Sequence, residues 1–417
     1  MKTLKTSVLI ILLFLNNSNS QGAKLMSEED LNNVEKFNPQ DFGFAGVLPS
    51  YYTMEKYVPP VADQGQYSTC VGFSAVYYAL STMYNIEFNY TSFQDRYAHA
   101  FDPYFIYSII NNNYDNECDE GLYVSEAVEN LKSIGTKKRW LPPYTRCNTD
   151  WTNDKILKVR SYTIPYKLTG YKRHDPESIG SIKYALSINK PITALFALTD
   201  SFESKPGSNN SYGVGSDGLW DPNTSESVTG YHAMTIIGYD DYNFGGALRL
   251  VNSWGKDHGD DGYLWIKYSD FKNFCKRAFS YSADFSQNFD YRTNFRRYKL
   301  DSGIYEGEYY SEGFEGYGIW YSNSSDTYYF GYLDKDGNWD GPHVRLTPEE
   351  FLYGKYKNGQ FIDETDYGFA GVDEDEEMLI DYFNLFKDDL KFGKFNNQGE
   401  SKDRPVLSKR ILIKNNQ

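Results

Sequence analysis

A loop that runs directly into a cysteine, followed by a helical pattern, constrains the fold of this chain most. Residues 63–69 contain Gly65 and precede Cys70. The apolar residues after the cysteine fall at helical spacing, at Phe73, Val76, Leu80 and Met83. Cys70 is therefore expected in the first turn of a helix, where unpaired N–H groups and the helix dipole stabilise an anion. A thiol there loses its proton more easily, and the thiolate is the nucleophile.

The amide of Gln64 lies six residues before Cys70 and could donate to an oxyanion that forms beside the sulfur. An isolated cysteine after a loop is more often a small buried apolar residue. A catalytic role for Cys70 therefore requires a base elsewhere in the chain.

Two predicted strands far downstream supply a candidate base and its partner. Residues 231–239 are predicted as a strand with His232 near its start, and residues 248–252 as a strand that ends in Asn252. Cys, His and Asn in this order meet the needs of a cysteine acyl-transfer site. The histidine takes the thiol proton and returns it to the leaving amine, while the asparagine sets the imidazole tautomer.

Together these stretches resemble the papain family of cysteine peptidases. Residues 64–75 are similar to its QG…CWAFSA stretch, 230–233 to its His-Ala segment, 252–255 to its NSWG and 118–121 to its Cys-x-Gly-Gly. The resemblance covers roughly residues 48–284 and implies an α+β fold. It would be a papain-like two-lobed catalytic domain, with a helical lobe and a β-barrel-like lobe, that hydrolyses peptide bonds.

The resemblance assigns roles residue by residue. Cys70 would be the nucleophile, His232 the base and then the acid, and Asn252 the orienting residue. Gln64 and the N–H of Cys70 would form the oxyanion hole, and Trp254 would shield the His–Asn hydrogen bond. The positions expected to contact substrate are Gly121, Ala233 and Trp254. A protein or peptide is the expected substrate, and no cofactor is implied.

Four positions depart from the family pattern. The tryptophan after the cysteine is Val71 here, and the alanine that follows is Gly72. The cysteine three residues before the nucleophile is Tyr67, so that bridge is absent. The first glycine of Cys-x-Gly-Gly is Glu120, which places a carboxylate at the substrate rim. These changes bear on subsite preference rather than on the chemistry.

The remaining cysteines are assigned by the same resemblance. Cys118 and Cys147 occupy positions similar to two bridge cysteines, and they could pair with each other in an exported protein. Cys275 resembles half of a second bridge whose partner is missing before His232, so a buried free thiol is expected. No close Cys/His pair occurs, and a metal site is not expected.

The N-terminal sequence predicts a targeting segment followed by a leader. Residues 1–20 have basic residues, a short apolar run and small residues before Gln21, as in a secretory signal peptide. The mature protein is therefore expected to be exported. Residues 21–47 are too few to fold as a domain but can cover a cleft. Ser27, followed by acidic residues, predicts a brief capped helix there.

The catalytic domain is expected over residues 48–290. Apolar spacing predicts a helix over residues 124–134, and residues 176–189 are expected as another. Residues 191–198 read as a buried strand that opens the β-rich half. Residues 204–227, rich in Gly, Ser, Asn and Asp, are expected to be a surface loop.

Composition changes after about residue 290. Tyr305 recurs as Tyr329, a step of 24 residues, and a weaker third copy contains Tyr353. The pattern resembles MORN-type repeats, stacked β-hairpins with glycine at the turns, and predicts an all-β repeat domain over residues 300–417. Two interpretations stay open. The repeats are either a structural β-meander or a docking surface for a substrate, a membrane or a protein partner.

Three functions fit these features. The first is an exported cysteine peptidase, the second an isopeptidase or transpeptidase with the same residues, and the third a silent binding protein of the same fold. A formal net charge of −15 argues against nucleic acid as a partner. The other histidines lack a partner motif and are expected to be structural, at the surface or half-buried, rather than catalytic, namely His99, His174, His258 and His343.

Overall fold

The computed structural model describes residues 22–44, 46–111, 115, 117–141, 163, 166–203, 212–285, 295–310, 313–334, 336–347, 351–357 and 360–363. The predicted signal peptide, Cys147 and the tail beyond residue 363 lie outside these ranges.

The helix that begins at Cys70 runs through the middle of one lobe. It starts as Cys70–Gly72, continues as a π-helix over Phe73–Leu80 and ends as the α-helix Ser81–Glu87. Every side chain of the π-helical stretch is buried. The other α-helices of the described residues are Glu28–Asn32, Phe93–Ala98, Pro103–Ile110, Val124–Ser133, Ile179–Ser187 and Tyr268–Phe274. Short 3-10 helices cover Pro39–Phe42, Glu55–Tyr57, Asp200–Glu203 and Asn243–Gly245.

Local signals placed several of these helices correctly. The Ser27 hydroxyl caps Glu28–Asn32 by accepting from the Asp30 N–H at 3.1 Å. Val124–Ser133 ends just before Gly135, which has φ +88°. A Cβ at Gly135 would lie 2.1 Å from the Thr163 carbonyl oxygen, so both the conformation and the close contact require glycine.

A mixed sheet forms the second lobe. The strands, numbered in chain order, are β1 (Ala23–Lys24), β2 (Tyr51–Thr53), β3 (Leu122–Tyr123), β4 (Leu168–Arg173), β5 (Ile192–Leu198), β6 (Gly213–Val214), β7 (Leu219–Asp221), β8 (Gly230–Asp240), β9 (Ala247–Val251), β10 (Tyr263–Lys267) and β11 (Cys275–Ala283). The sheet order is β4-β11-β5-β8-β9-β10-β7-β6, with β2 also paired to β8. Strands β1 and β3 pair with each other in a separate two-stranded sheet. Strand β5 is buried along its whole length, as its apolar run predicted.

The prediction of a surface loop over residues 204–227 is wrong in part. Within it, β6 pairs with β7, and β7 adds to the edge of the sheet beside β10. The anchor is Trp220, which is fully buried and packs edge-on against Phe202 at 4.8 Å. One large aromatic side chain thus draws a polar segment into the sheet.

The region after residue 294 forms a separate sheet of seven strands. They are β12 (Phe295–Leu300), β13 (Gly303–Tyr310), β14 (Gly313–Ser322), β15 (Thr327–Leu333), β16 (Trp339–Leu346), β17 (Phe351–Lys357) and β18 (Gln360–Asp363). Each pairs antiparallel with the next, which makes a simple meander. Tyr305, Tyr329 and Tyr353 lie on every second strand, so the 24-residue step corresponds to one hairpin.

One face of this C-terminal sheet packs on the helical lobe. Apolar side chains from β14, β15 and β16 share a core cluster with Tyr84 and Phe101. At the same junction Glu306 is 1% exposed and accepts hydrogen bonds from the hydroxyls of Tyr84, at 2.5 Å, and Tyr166. The sheet and the helical lobe therefore share one hydrophobic core.

Within the described residues, none of the helices has the length and apolar character needed to cross a membrane.

Candidate active site

Cys70 lies at the start of the central helix, fully buried and with a free thiol. Burial raises the pKa of the thiol to about 11. Hydrogen bonds from the backbone N–H groups of Ala233, Gly22 and Val71 to the sulfur act in the opposite direction. The sulfur therefore sits in a shell of backbone donors that would favour a thiolate once water reaches the site.

His232 and Asn252 meet because β8 and β9 are antiparallel neighbours. The His232 Nε2–H donates to Asn252 Oδ1 at 2.7 Å, and the Ser253 N–H donates to the same oxygen at 2.8 Å. His232 is fully buried, and this burial lowers its pKa to about 4. Its Nδ1 is buried and has no hydrogen-bond partner among the described residues. The imidazole therefore keeps one nitrogen oriented by the asparagine and the other available.

Trp254 covers this histidine–asparagine pair. Its ring centroid lies 4.8 Å from that of His232, and the residue is 5% exposed. Phe202 packs against the other side of the indole at 5.0 Å. The two aromatic rings keep water away from the hydrogen bond, which strengthens it.

Two hydrogen bonds hold the side chain of Gln64 in the loop that precedes Cys70. The Ser253 hydroxyl donates to Gln64 Oε1 at 2.6 Å, and Gln64 Nε2 donates to the Tyr67 carbonyl at 2.7 Å. Gln64 is 1% exposed, so its amide has a defined orientation. An amide nitrogen carries two N–H groups, and the Gln64 side chain can therefore serve a second acceptor beside Cys70.

Asp115 organises the wall that contains Gly121. Burial raises the pKa of this carboxyl, but hydrogen bonds from the Tyr107 hydroxyl and from backbone N–H groups outweigh it, and the net shift is downward. The Tyr107 hydroxyl donates to Asp115 at 2.6 Å and accepts from the Gly121 N–H at 3.2 Å. Cys118, in the same turn, is disulfide-bonded. The predicted partner, Cys147, lies outside the described residues.

The leader backbone fills the cleft between the two walls. The Leu122 N–H donates to the Gly22 carbonyl at 3.1 Å, β1 runs parallel to β3, and Gly22 forms a bridge with Tyr231. A Cβ at Gly22 would lie 2.2 Å from the Ser68 Cα, and a Cβ at Gly121 would lie 1.9 Å from the Gly22 oxygen. Glycine on both sides permits this close approach.

Polar contacts hold the leader beyond Gly22. Lys24 forms an ion pair with Glu120 at 3.5 Å. Met26 is 4% exposed, and its carbonyl accepts from Arg277 Nε at 3.2 Å. Arg277 also contacts Glu28 at 2.9 Å. The leader is therefore attached to both lobes, and its course explains why Cys70 and His232 are closed to solvent.

The structure brings the sequence-predicted residues together from four separate segments. Gln64, Cys70, His232 and Asn252 line one buried region, with Gly121, Ala233 and Trp254 around it. Cys275 is a buried free thiol, as predicted, and burial raises its pKa. Across the described part of the chain, no cluster of three or more His, Cys, Asp or Glu side chains could hold a metal ion.

Sequence reasoning missed two contributors to this region. It did not place Gly22 against Cys70, and it assigned His258 to the structural histidines. In the structure Asn252 Nδ2 lies 3.3 Å from His258 Nδ1. The signal for His258 was its position four residues after Trp254 and six after Asn252. The other three histidines, His99, His174 and His343, are buried, which contradicts the expectation of surface or half-buried positions.

The chain belongs to the papain family of cysteine proteases, because the model of that family matches residues 50–284. A viral cathepsin of Cydia pomonella granulosis virus is 23% identical over 230 residues, which cover 54% of this chain and 58% of the viral protein. The crystal structure of xylellain, a cysteine protease from Xylella fastidiosa, has a TM-score of 0.50 at 20% identity. That match covers 64% of this chain and 97% of xylellain, and it shows that the fold is papain-like.

Proposed function

We propose that this chain is an exported cysteine peptidase that hydrolyses peptide bonds, with Cys70 as nucleophile and His232 as its base. The hydrogen bond of 2.7 Å from His232 Nε2 to Asn252 Oδ1 carries the proposal. It keeps the proton on Nε2 and leaves the Nδ1 lone pair for the thiol proton. Membership of the papain family and the N-terminal position of Cys70 on its helix support the same chemistry.

The reaction follows from the positions of these groups. The Cys70 thiolate attacks the peptide carbonyl, and the oxyanion accepts from the Cys70 N–H and from Gln64. The His232 imidazolium gives its proton to the leaving amine, which leaves an acyl group on the sulfur. His232 then takes a proton from water, the water attacks the acyl group, and the acid is released. Asn252 holds the imidazole through both steps.

The described arrangement is the latent form of this peptidase. With the leader in place, the pKa of the Cys70 thiol is about 11 and that of His232 about 4, so both groups are neutral near pH 7. Displacement of the leader admits water and removes the desolvation that causes both shifts. A thiolate–imidazolium pair can then form.

A peptide substrate would replace the leader in the cleft. The Leu122 N–H, which now donates to Gly22, would bind the substrate backbone, with Gly121 allowing close approach. Glu120 is 63% exposed at the side chain and pairs with Lys24, so it favours a basic side chain nearby. The C-terminal sheet would serve as a MORN-like structural support, since one of its faces packs on the helical lobe.

Covalent labelling tests this proposal. The full chain and a form with the leader removed would be treated with an epoxide-type thiol inactivator, and the product read by intact mass and peptide mapping. We expect label on Cys70 after leader removal, none in Cys70→Ala, and normal labelling in the control Cys275→Ala. Absence of label on the folded, leader-free protein would contradict the proposal and favour a silent binding protein. Product analysis with an added amine acceptor separates hydrolysis from transpeptidation.

A further inference from the structure

A second histidine lies against the asparagine of the catalytic centre. Asn252 Nδ2 is 3.3 Å from His258 Nδ1, on the side of the amide opposite His232. The turn that carries His258 is held firmly. The His258 carbonyl accepts a hydrogen bond from the Gly262 N–H at 3.1 Å, and Asp260 forms an ion pair with Arg249 at 2.6 Å. The imidazole position is thus set by the fold.

Two aromatic rings restrict the orientation of this imidazole. The His258 ring lies edge-on to Trp254 at 4.9 Å and tilted against Phe202 at 5.3 Å. The same two rings cover the His232–Asn252 hydrogen bond. His258 therefore belongs to the packed shell around the catalytic pair.

The donors and acceptors around Asn252 allow one orientation of its amide. Its oxygen accepts from His232 Nε2 and from the Ser253 N–H, and its nitrogen donates to His258 Nδ1. If the amide turned over, its NH2 group would face the Ser253 N–H, and two donors would meet. It would also face His232 Nε2 as a donor and favour the tautomer with the proton on Nδ1.

We propose that His258 is a positioning residue of the catalytic centre. Its Nδ1 accepts from the Asn252 amide, holds the amide oxygen toward His232, and so keeps the His232 proton on Nε2. The inference rests on the proposed peptidase function and adds a specific residue to it. His258 acts through Asn252.

Two substitutions separate the hydrogen bond from the packing. His258→Phe keeps a ring in contact with Trp254 and Phe202 but removes the acceptor. His258→Asn offers a carbonyl oxygen close to the Nδ1 position. Since a lost hydrogen bond to an orienting group changes rates by roughly tenfold, we expect kcat of leader-free His258→Phe to fall about tenfold with little change in KM. His258→Asn should retain kcat within about threefold by the same reasoning.

Nitrogen NMR of the full, 15N-histidine-labelled chain tests the same inference without activity. In the wild type near neutral pH we expect His232 protonated on Nε2 and His258 Nδ1 to be an unprotonated acceptor. In His258→Phe the His232 signals should shift toward a mixture of tautomers. A His258 Nδ1 that carries a proton in the wild type would overturn the proposal, and this result needs no variant to fold.

The outcomes distinguish failure of this inference from failure of the proposed function. An active wild type with kcat and His232 tautomer unchanged in His258→Phe would overturn the inference alone. A wild type that neither hydrolyses peptides nor labels at Cys70 would overturn the peptidase proposal, while the NMR result would still decide the role of His258.

Discussion

Two largely buried polar clusters, both assembled from distant segments, differ in whether a carboxylate lies among their groups. The proposed catalytic cluster consists of Gln64, Cys70, His232, Asn252 and His258. The junction cluster, where the C-terminal sheet meets the helical lobe, consists of Glu306, Tyr84, Tyr166, His99, Lys138 and Arg297. Each draws members from segments more than 150 residues apart in the chain.

The junction cluster surrounds one carboxylate with donors and cations. Glu306 accepts from two tyrosine hydroxyls and lies within 3.7 Å of Arg297 and 3.9 Å of Lys138. His99 Nδ1 and Arg297 Nε of this cluster make no hydrogen bond among the described residues, but they lie 3.9 Å and 3.7 Å from the Glu306 carboxylate. In the proposed catalytic cluster His232 Nδ1 also lacks a hydrogen-bond partner among the described residues, and no carboxylate belongs to that cluster. A carboxylate surrounded by donors and cations holds two parts of a fold together, whereas a buried imidazole nitrogen without a hydrogen-bond partner is available to a reactant.

The largest expected effect follows from removal of the proposed catalytic base. His232→Ala removes the base, so kcat of the leader-free enzyme should fall by at least about 10⁴-fold. Its thermal stability should stay close to that of the wild type. Steady-state peptide hydrolysis measures the change. The matched control is His174→Gln, which alters another buried histidine and should leave kcat unchanged within about twofold. Appreciable hydrolysis by His232→Ala would contradict the assignment of the base.

Glu306→Ala should lower the stability of the fold and leave the chemistry of the site unchanged. It leaves the buried Lys138 and the partly buried Arg297 without their carboxylate, which costs about 3–5 kcal/mol of the free energy of unfolding. Denaturant titration measures this loss of unfolding free energy. As a control, Glu177→Ala removes an exposed pair with Lys272 at 3.7 Å, and it should cost less than about 1 kcal/mol. Equal stability losses in the two variants would refute a special role for the junction carboxylate.

Both clusters contain a buried histidine that makes the free energy of unfolding depend on pH in the same direction. Burial lowers the pKa of His232 to about 4 and, with help from Lys138, that of His99 well below its usual value. The unfolded chain therefore takes up these protons first, and stability falls as pH drops below about 6.5. The loss due to His232 is complete below about pH 4.

Substitution of either histidine should flatten this pH dependence. His99→Gln or His232→Gln should reduce the slope of unfolding free energy between pH 6 and 5 by up to about 1.4 kcal/mol per pH unit. Denaturant titrations at several pH values measure the slope. The double variant should show the sum of both changes. A slope equal to that of the wild type would show that the histidine is already protonated in the folded protein.

The last expected effect concerns the leader. Gly22→Val cannot fit beside Ser68 without displacing the leader, and overpacking of about 1–3 kcal/mol corresponds to a roughly 5- to 150-fold faster labelling of Cys70. Glu29→Val, at an exposed leader position, is the control. In the wild type the labelling rate should rise steeply with pH, because the thiol pKa is about 11. Identical rates in Gly22→Val and the wild type would show that the leader does not limit access.

Much of the catalytic region could be predicted because its signals are local. The helical spacing after Cys70 placed the cysteine at a helix start, and the apolar run before Leu198 marked a buried strand. The order of the Cys, His and Asn segments then identified the family. The expected loop over residues 204–227 failed because the burial of Trp220 outweighs a polar, glycine-rich composition.

The sequence alone established the order of the candidate reactive residues and the hairpin period of the C-terminal sheet, because spacing along a chain dictates local backbone geometry. The packing of the lobes, in contrast, decided that Gly22 lies against Cys70 and that Glu306 enters the helical lobe. Each of these contacts joins segments whose approach depends on how the strands and lobes pack. No local pattern of residue types encodes which of many polar side chains meets which partner.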